Sequence, residues 1–248
     1  MIRYPENYAP RPDLLAERVL LITGAGDGIG RAVAVAAAAH GATVILLGRT
    51  LRKLEMVYDT IEQAGGPQPA IYPLNLEGAS PHDYLDMVSK LEEAFGVLDG
   101  IVHNAAELRS LSRIDDYDID HWYRVMQVNL NAPFLITQAC LPLLRKSTAA
   151  SVLFSADRVG RQGRAYWGAY GVSKFGLEGL MQILADENEG SGIRFNSLDP
   201  GPVRTALRAA VYPGEDSATL PAPEEIVAPY LWLLGSDSRG ITGQALGG

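Results

Sequence analysis

Six short apolar runs, each followed by a helix-length segment, alternate along this chain and leave it very few folds. The runs are Arg18–Thr23, Ala42–Leu47, Ala70–Leu74, Leu98–His103, Ser151–Ser155 and Ile193–Leu198. The clearest of them are apolar at consecutive positions rather than at every second one, which marks strands covered on both faces. The helical segments run from a glycine turn to about His40, then Leu51–Gln63, Pro81–Phe95, Asp120–Leu144, Ala165–Glu189 and Pro223–Leu234. Parallel strands need crossover connections of this kind, so the pattern predicts a doubly wound α/β sheet with helices on both faces. Pro133 and Pro142 mark expected kinks in the long fourth helix. Gly201–Pro221 reads as a long Pro/Gly-containing connection.

The first seventeen residues, with Pro5, Pro10 and Pro12, read as an extended arm (1–17) before a single domain (18–248). The 248 residues, 47% hydrophobic and 20% charged, suit one α/β domain with a full core. A formal charge of −8 argues against a nucleic-acid partner, which would need a basic face. A single cysteine, Cys140, allows no intramolecular disulfide and fits a reducing cytoplasm; its apolar surroundings predict a buried hydrophobe rather than a nucleophile. The start Met1-Ile2-Arg3-Tyr4-Pro5 lacks the apolar core of a secretory signal, and Val33–Leu47 is too short and interrupted to span a membrane.

Two local patterns carry chemistry. Thr23-Gly24-Ala25-Gly26-Asp27-Gly28-Ile29-Gly30 joins the first strand to its helix, where bare backbone lets a pyrophosphate approach the positive helix end. The spacing is TGxxxGxG, not GxGxxG. Tyr170 and Lys174 stand four residues apart, about one helical turn, and rise from the same face. A phenol is a poor base near neutrality, and an adjacent ammonium favours its ionised form. The pair is therefore suited to moving the proton of an alcohol.

Together these patterns resemble the short-chain dehydrogenase/reductase family, single-domain Rossmann-like enzymes using NAD or NADP. The resemblance runs from about Arg18 to Gly248. Further landmarks follow in order: Asn75-Leu76, His103-Asn104-Ala105-Ala106 (a variant of the family's Asn-Asn-Ala-Gly), Val128-Asn129-Leu130, and Asp199-Pro200-Gly201 with Val203 and Thr205. The resemblance implies seven mostly parallel strands in the order 3-2-1-4-5-6-7, and a homodimer or homotetramer packed through the helices of Asn129 and Tyr170. It implies Tyr170 as acid/base, Lys174 as its tuner and ribose anchor, and Asn129 as holder of a relay water. It places cofactor on Gly24, Gly26, Asp27, Gly28, Ile29, Asn75, Leu76, Asn104, Ala105, Ala106, Tyr170, Lys174, Pro200, Gly201, Val203 and Thr205. The second strand ends Leu47-Gly48-Arg49-Thr50, with no acid to repel a 2′-phosphate and Arg49 able to pair with it. NADP(H) is therefore expected over NAD(H).

One position departs from the family. The serine expected thirteen residues before the tyrosine is Asp157. A carboxylate about 4 Å from the phenol would oppose phenolate by roughly 4 kcal/mol at an effective dielectric of 20. Three remedies stay open: a protonated Asp157, neutralisation by Arg158, or Ser155 taking over the role. Asp116-Tyr117-Asp118-Ile119-Asp120 fails the calcium-loop pattern and reads as helix capping. His40, His82, His103 and His121 show no ligand spacing, so no metal site is expected; His103 is a candidate neighbour of the cofactor. Tyr166 and Trp167 suit a substrate entrance or a subunit contact equally. Arg204 and Arg208 open the connection that forms the family's substrate lid, with solvated charge as their default reading. The leading expectation is a cytoplasmic NADP(H)-dependent oxidoreductase interconverting a small-molecule ketone or aldehyde and an alcohol. The contrasting one is an NADP(H)-binding sensor or interaction protein whose chemistry Asp157 has impaired.

Overall fold

Val19–Thr23 forms the buried central strand β1, and its neighbours add outward in both directions. The remaining strands are β2 (Thr43–Gly48), β3 (Ala70–Pro73), β4 (Gly100–His103), β5 (Ser151–Ser155), β6 (Arg194–Asp199) and β7 (Ala245–Gly247). In the computed structural model, which describes residues 4, 5 and 7–247, they form one sheet in the order β3-β2-β1-β4-β5-β6-β7. All pairings are parallel, from Val19 opposite Thr43 on one side of β1 to Leu20 opposite Gly100 on the other. The expected doubly wound order is thus the observed one.

Alternation along the strands divides the core between the two faces. Leu20 and Ile22 pack with Val33 and Ala37 of α1 (Gly28–Ala39), Leu54 and Val57 of α2 (Leu51–Gln63), and Leu233 near the chain's end. Leu21, Ile45 and Leu47 face the opposite layer. There they meet Met87 of α3 (Pro81–Phe95), Ile136 and, further along, Leu177 and Met181. Each fully buried aliphatic side chain contributes about 1.5–3 kcal/mol of burial.

The long fourth helix is continuous in direction but not in hydrogen bonding. It comprises α4 (Ile119–Met126), a π-helical turn at Gln127–Asn131, and α5 (Ala132–Leu144). Asp118 caps it, accepting from the His121 amide at 2.7 Å, which is the capping role read from the acids there. The next helix, α6 (Gly168–Glu187), carries Tyr170 and Lys174.

Two expectations fail, and the Gly201–Pro221 connection is partly helical. The arm is turned rather than extended: residues 12–17 fold back, Leu14 and Leu15 are buried in the core, and the Leu15 amide donates to His40 at 2.9 Å. Two adjacent leucines have enough apolar surface to draw the segment inward; residues 1–3 and 6 of the arm lie outside the described residues. The Gly201–Pro221 connection holds a short helix, α7 (Ala206–Val211), capped by Thr205. Pro223–Leu234 divides into a single tight turn, Pro223–Ile226, and α8 (Ala228–Leu234), with Pro229 in its first turn. No helix among the described residues is long and apolar enough to cross a membrane.

Candidate active site

Because every strand points the same way, the loops after β1, β2, β3, β4, β5 and β6 meet along one edge of the sheet. They enclose a cleft of about 540 Å³. Gly24, Gly26, Asp27, Gly28 and Ile29 line one end, with Arg49, Asn75, Leu76, Asn104, Ala105 and Ala106; Pro200, Gly201, Val203 and Thr205 line another wall. Tyr170, Lys174 and Asp157 stand at the far end. Of the residues expected at the cofactor, all but the candidate neighbour His103 line this cleft.

Two glycines of the turn, Gly24 and Gly30, have no room for a side chain. Gly24 has φ +67°, and a Cβ there would lie 3.0 Å from the Ala105 Cα. A Cβ on Gly30 would collide with the Gly24 carbonyl. Thr23 Oγ1 fastens the turn to the end of β4, accepting from the Asn104 and Ala105 amides at 3.0 Å each. Asp27 caps α1, accepting from the Gly28 amide at 2.7 Å, and its pair with Lys53 holds its carboxyl below the ordinary range. Exposed backbone at a helix N-terminus, beside cationic side chains, fits a dinucleotide's phosphates.

Glu107, not singled out in the sequence, reaches the same region. Its carboxylate pairs with Arg109 at 2.9 Å and lies 3.8 Å from the Arg49 guanidinium. The absence of an acid at the end of β2 is therefore offset by one arriving from β4. Only the strand order, which sets β4 and β2 on either side of β1, brings the two together.

Asn129 sits in the π-helical turn and is almost wholly buried. Its Oδ1 accepts from the Glu107 amide at 2.7 Å, while its Nδ2 donates to the Glu107 carbonyl at 3.1 Å and to Ser173 Oγ at 3.2 Å. The side chain is engaged in fixing the Glu107 backbone. His103 lies off the cleft, stacked on Phe154 with Nε2 bonded to Thr137 Oγ1 at 2.8 Å.

At the reacting end, the Tyr170 hydroxyl donates to Asp157 Oδ2 at 3.1 Å. Asp157 Oδ1 accepts from the Val159 amide at 3.0 Å, which fixes the carboxylate. Lys174 Nζ donates to the Ser155 carbonyl at 2.6 Å and lies 5.5 Å from the centre of the Tyr170 ring. Burial, then the Asp157 charge and hydrogen bond, then Asp199 and Tyr230, push the Tyr170 phenol well above its ordinary pKa. Burial pulls Lys174 down to about 8, against the acids Asp157, Asp199 and Glu178. The lowering of the phenol expected from Lys174 alone is outweighed. Ser155 gives no remedy, since its hydroxyl meets the Tyr230 hydroxyl at 3.2 Å. Nor does Arg158: among the described residues, Asp157 has no cation within ion-pair distance.

The lid side is more ordered than solvated charge implies. Arg208 makes two 2.7 Å bonds to Glu215 and lies 3.9 Å over the Tyr212 ring. Trp167 packs between Tyr170 and Tyr212. Cys140 is buried and its thiol pushed up to about 12, as suits a core residue. No metal-binding cluster occurs among the described residues.

The model of the short chain dehydrogenase family matches residues 18–216. This chain belongs to that family. It is accordingly an oxidoreductase, and the Rossmann-like sheet is the family's fold. The uncharacterized oxidoreductase YciK of Escherichia coli K12 is 46% identical over 237 residues, covering 96% of this chain and 94% of YciK. Among solved structures, a short chain dehydrogenase from Pseudomonas syringae is 51% identical with a TM-score of 0.95, covering 97% of this chain and 98% of its own. Another from Escherichia coli CFT073, complexed with NADPH, is 47% identical with a TM-score of 0.93 and covers 96% and 98% of the two chains. The short-chain dehydrogenase reading of the sequence is the family shown.

Proposed function

We propose that this short-chain dehydrogenase is an NADP(H)-dependent oxidoreductase that transfers hydride to or from a small-molecule substrate at the end of the cleft holding Tyr170. The observation that carries the reading is the continuity of that cleft, from the bare glycine turn and Arg49 to Tyr170 and Lys174. A neighbour complexed with NADPH supports it. Gly24, Gly26, Gly28 and Ile29 would hold the phosphates, Arg49 and Lys53 the 2′-phosphate, and Lys174 the nicotinamide ribose. When bound, the nicotinamide supplies or accepts the hydride.

Tyr170 moves the proton. Its high pKa keeps it protonated, so it serves first as a donor to a carbonyl oxygen during reduction, and the ketone or aldehyde and its alcohol are the general substrate pair. Asn129 acts through Glu107 by fixing the loop beside the cofactor. The assembly is a homo-oligomer, because α5 and α6 expose Phe134, Val172, Phe175 and Ile183 outside the cleft. The test is NADPH binding by fluorescence, followed by turnover on a carbonyl panel with the native chain and Tyr170→Phe. NADPH binding with turnover lost in Tyr170→Phe is expected. Failure to bind NADPH, or undiminished turnover in Tyr170→Phe, refutes the reading.

A further inference from the structure

We propose that the acceptor favoured by this site is a cationic carbon–nitrogen double bond, an iminium, which is reduced to an amine in preference to a carbonyl. The proposal rests on the cleft being a nicotinamide hydride-transfer site and names the substrate class that site takes.

The argument begins with what surrounds the Tyr170 hydroxyl. Its direct partner is the Asp157 carboxylate at 3.1 Å, and that carboxylate is pinned by the Val159 amide. Asp199 adds a second acid at the same end of the cleft, held by the Gly201 amide at 2.8 Å. The neighbouring cations are already engaged. Lys174 donates to the Ser155 carbonyl, Arg161 is bound to Glu178 and to the Gly247 and Leu246 carbonyls, and Arg208 is bound to Glu215. Tyr230, the remaining titratable neighbour, is paired with Ser155. A substrate heteroatom beside Tyr170 therefore meets one phenol hydroxyl and two carboxylates against the single Lys174 ammonium, a field negative on balance.

Carbonyl reduction drives electron density onto oxygen, next to that field and without the hydroxyl that a serine would offer. An iminium reverses the electrostatics. The nitrogen carries its positive charge before hydride arrives, and Asp157 stabilises it. In the transfer, the C–H bond forms with the hydride pair, the C=N π pair becomes the nitrogen lone pair, and the reduced nicotinamide is oxidised. The single proton consumed comes from water, which converts the imine to an iminium before hydride transfer. Relative to the free, unprotonated imine, the positive charge surviving in the transition state is still stabilised, so the gain falls on kcat/KM. The high pKa of Tyr170 agrees with this, since no phenolate is required.

The experiment uses the full chain with pyrroline and cyclopentanone as matched acceptors, after NADPH binding has been established by protein fluorescence. The native chain should favour pyrroline in kcat/KM by about a hundredfold, the scale of one misplaced or missing oxyanion donor. Asp157→Ser should shrink that ratio by at least about tenfold and raise the rate with cyclopentanone. A readout free of turnover is equilibrium binding of the products in the presence of NADP⁺. Pyrrolidine should bind the native chain at least about tenfold more tightly than cyclopentanol, with the gap lost in Asp157→Asn. Both substitutions keep an oxygen that can accept from the Val159 amide, so the local turn is preserved. Preference for cyclopentanone, a ratio unchanged in Asp157→Ser, or no preference for pyrrolidine would overturn the proposal while leaving the cofactor reading intact. Absence of NADPH binding would remove that reading and the proposal with it.

Discussion

Thr23→Val replaces a hydroxyl by a methyl of nearly the same shape and so isolates what one oxygen does for the glycine turn. Thr23 is 2% exposed, and its Oγ1 accepts from both the Asn104 and Ala105 amides at 3.0 Å while its own proton faces the Val102 carbonyl at 3.3 Å. Valine leaves two donors without a partner. An orphaned donor costs about 1–3 kcal/mol when buried, and the partial exposure of Asn104 and Ala105 favours the lower half, so the pair should cost about 2–4 kcal/mol. For a domain of this size that is a Tm lower by about 4–16 °C. Thr23→Ser keeps both acceptor bonds and loses one methyl, about 0.8 kcal/mol. Urea unfolding followed by circular dichroism, at one protein concentration to hold assembly fixed, measures the three chains. NADPH affinity should fall in the valine variant, because Ala105 lines the cleft. Equal stability of the valine and serine variants would refute the claim that this oxygen joins β4 to the turn.

Other substitutions test separate parts. Arg49→Ala should weaken NADPH binding by about tenfold with little effect on NADH, and Glu107→Gln should strengthen NADPH by a few-fold by removing a competing charge, both read by fluorescence titration. Burial lowers His103 from 6.5 to about 3, so between these values the unfolded chain binds a proton that the folded chain refuses. Stability should therefore fall as pH drops through that window, by up to about 1.4 kcal/mol per pH unit, and His103→Gln should flatten the urea midpoint against pH. Arg161→Met leaves Glu178 buried without its 2.8 Å partner and frees β7, and should destabilise by about 3–5 kcal/mol in the same unfolding assay. Phe175→Glu places a charge on the exposed face of α6 and should yield a smaller species in light scattering without loss of NADPH affinity.

The order of elements and the cleft lining were legible because each depends on local pattern. Continuous apolar runs set the strands, and the glycines and the Tyr170–Lys174 spacing mark the two ends of one edge. Tertiary pairings were not legible. Glu107 carries no motif of its own and acquires meaning only when β4 lies beside β1. Asn129 was placed correctly in its helix, but the π-helical turn directs its amide to the Glu107 backbone, and no periodicity announces such a turn. The fold-back of Leu14 and Leu15 was hidden by the prolines around them, whose signal for an irregular segment says nothing about where that segment packs.

The charges along the cleft are arranged asymmetrically, and the asymmetry bears on both halves of the function. At the nucleotide end each cation already has an acid: Lys53 has Asp27, and Arg49 has Glu107. An arriving phosphate must exchange partners with those acids, so part of its attraction offsets a contact already made, and the net preference for a 2′-phosphate is smaller than a bare arginine would give. At the reacting end the position is reversed. Asp157 and Asp199 have backbone amides but no cation within ion-pair distance among the described residues; Asp199 is buried and Asp157 half-buried, whereas Arg49 is exposed. A positive group entering there meets two carboxylates balanced only in part by Lys174, at lower effective dielectric. Electrostatic selectivity should therefore be stronger for the substrate than for the cofactor. Neutralising Asp157 should change substrate preference by more than neutralising Glu107 changes the NADPH to NADH ratio.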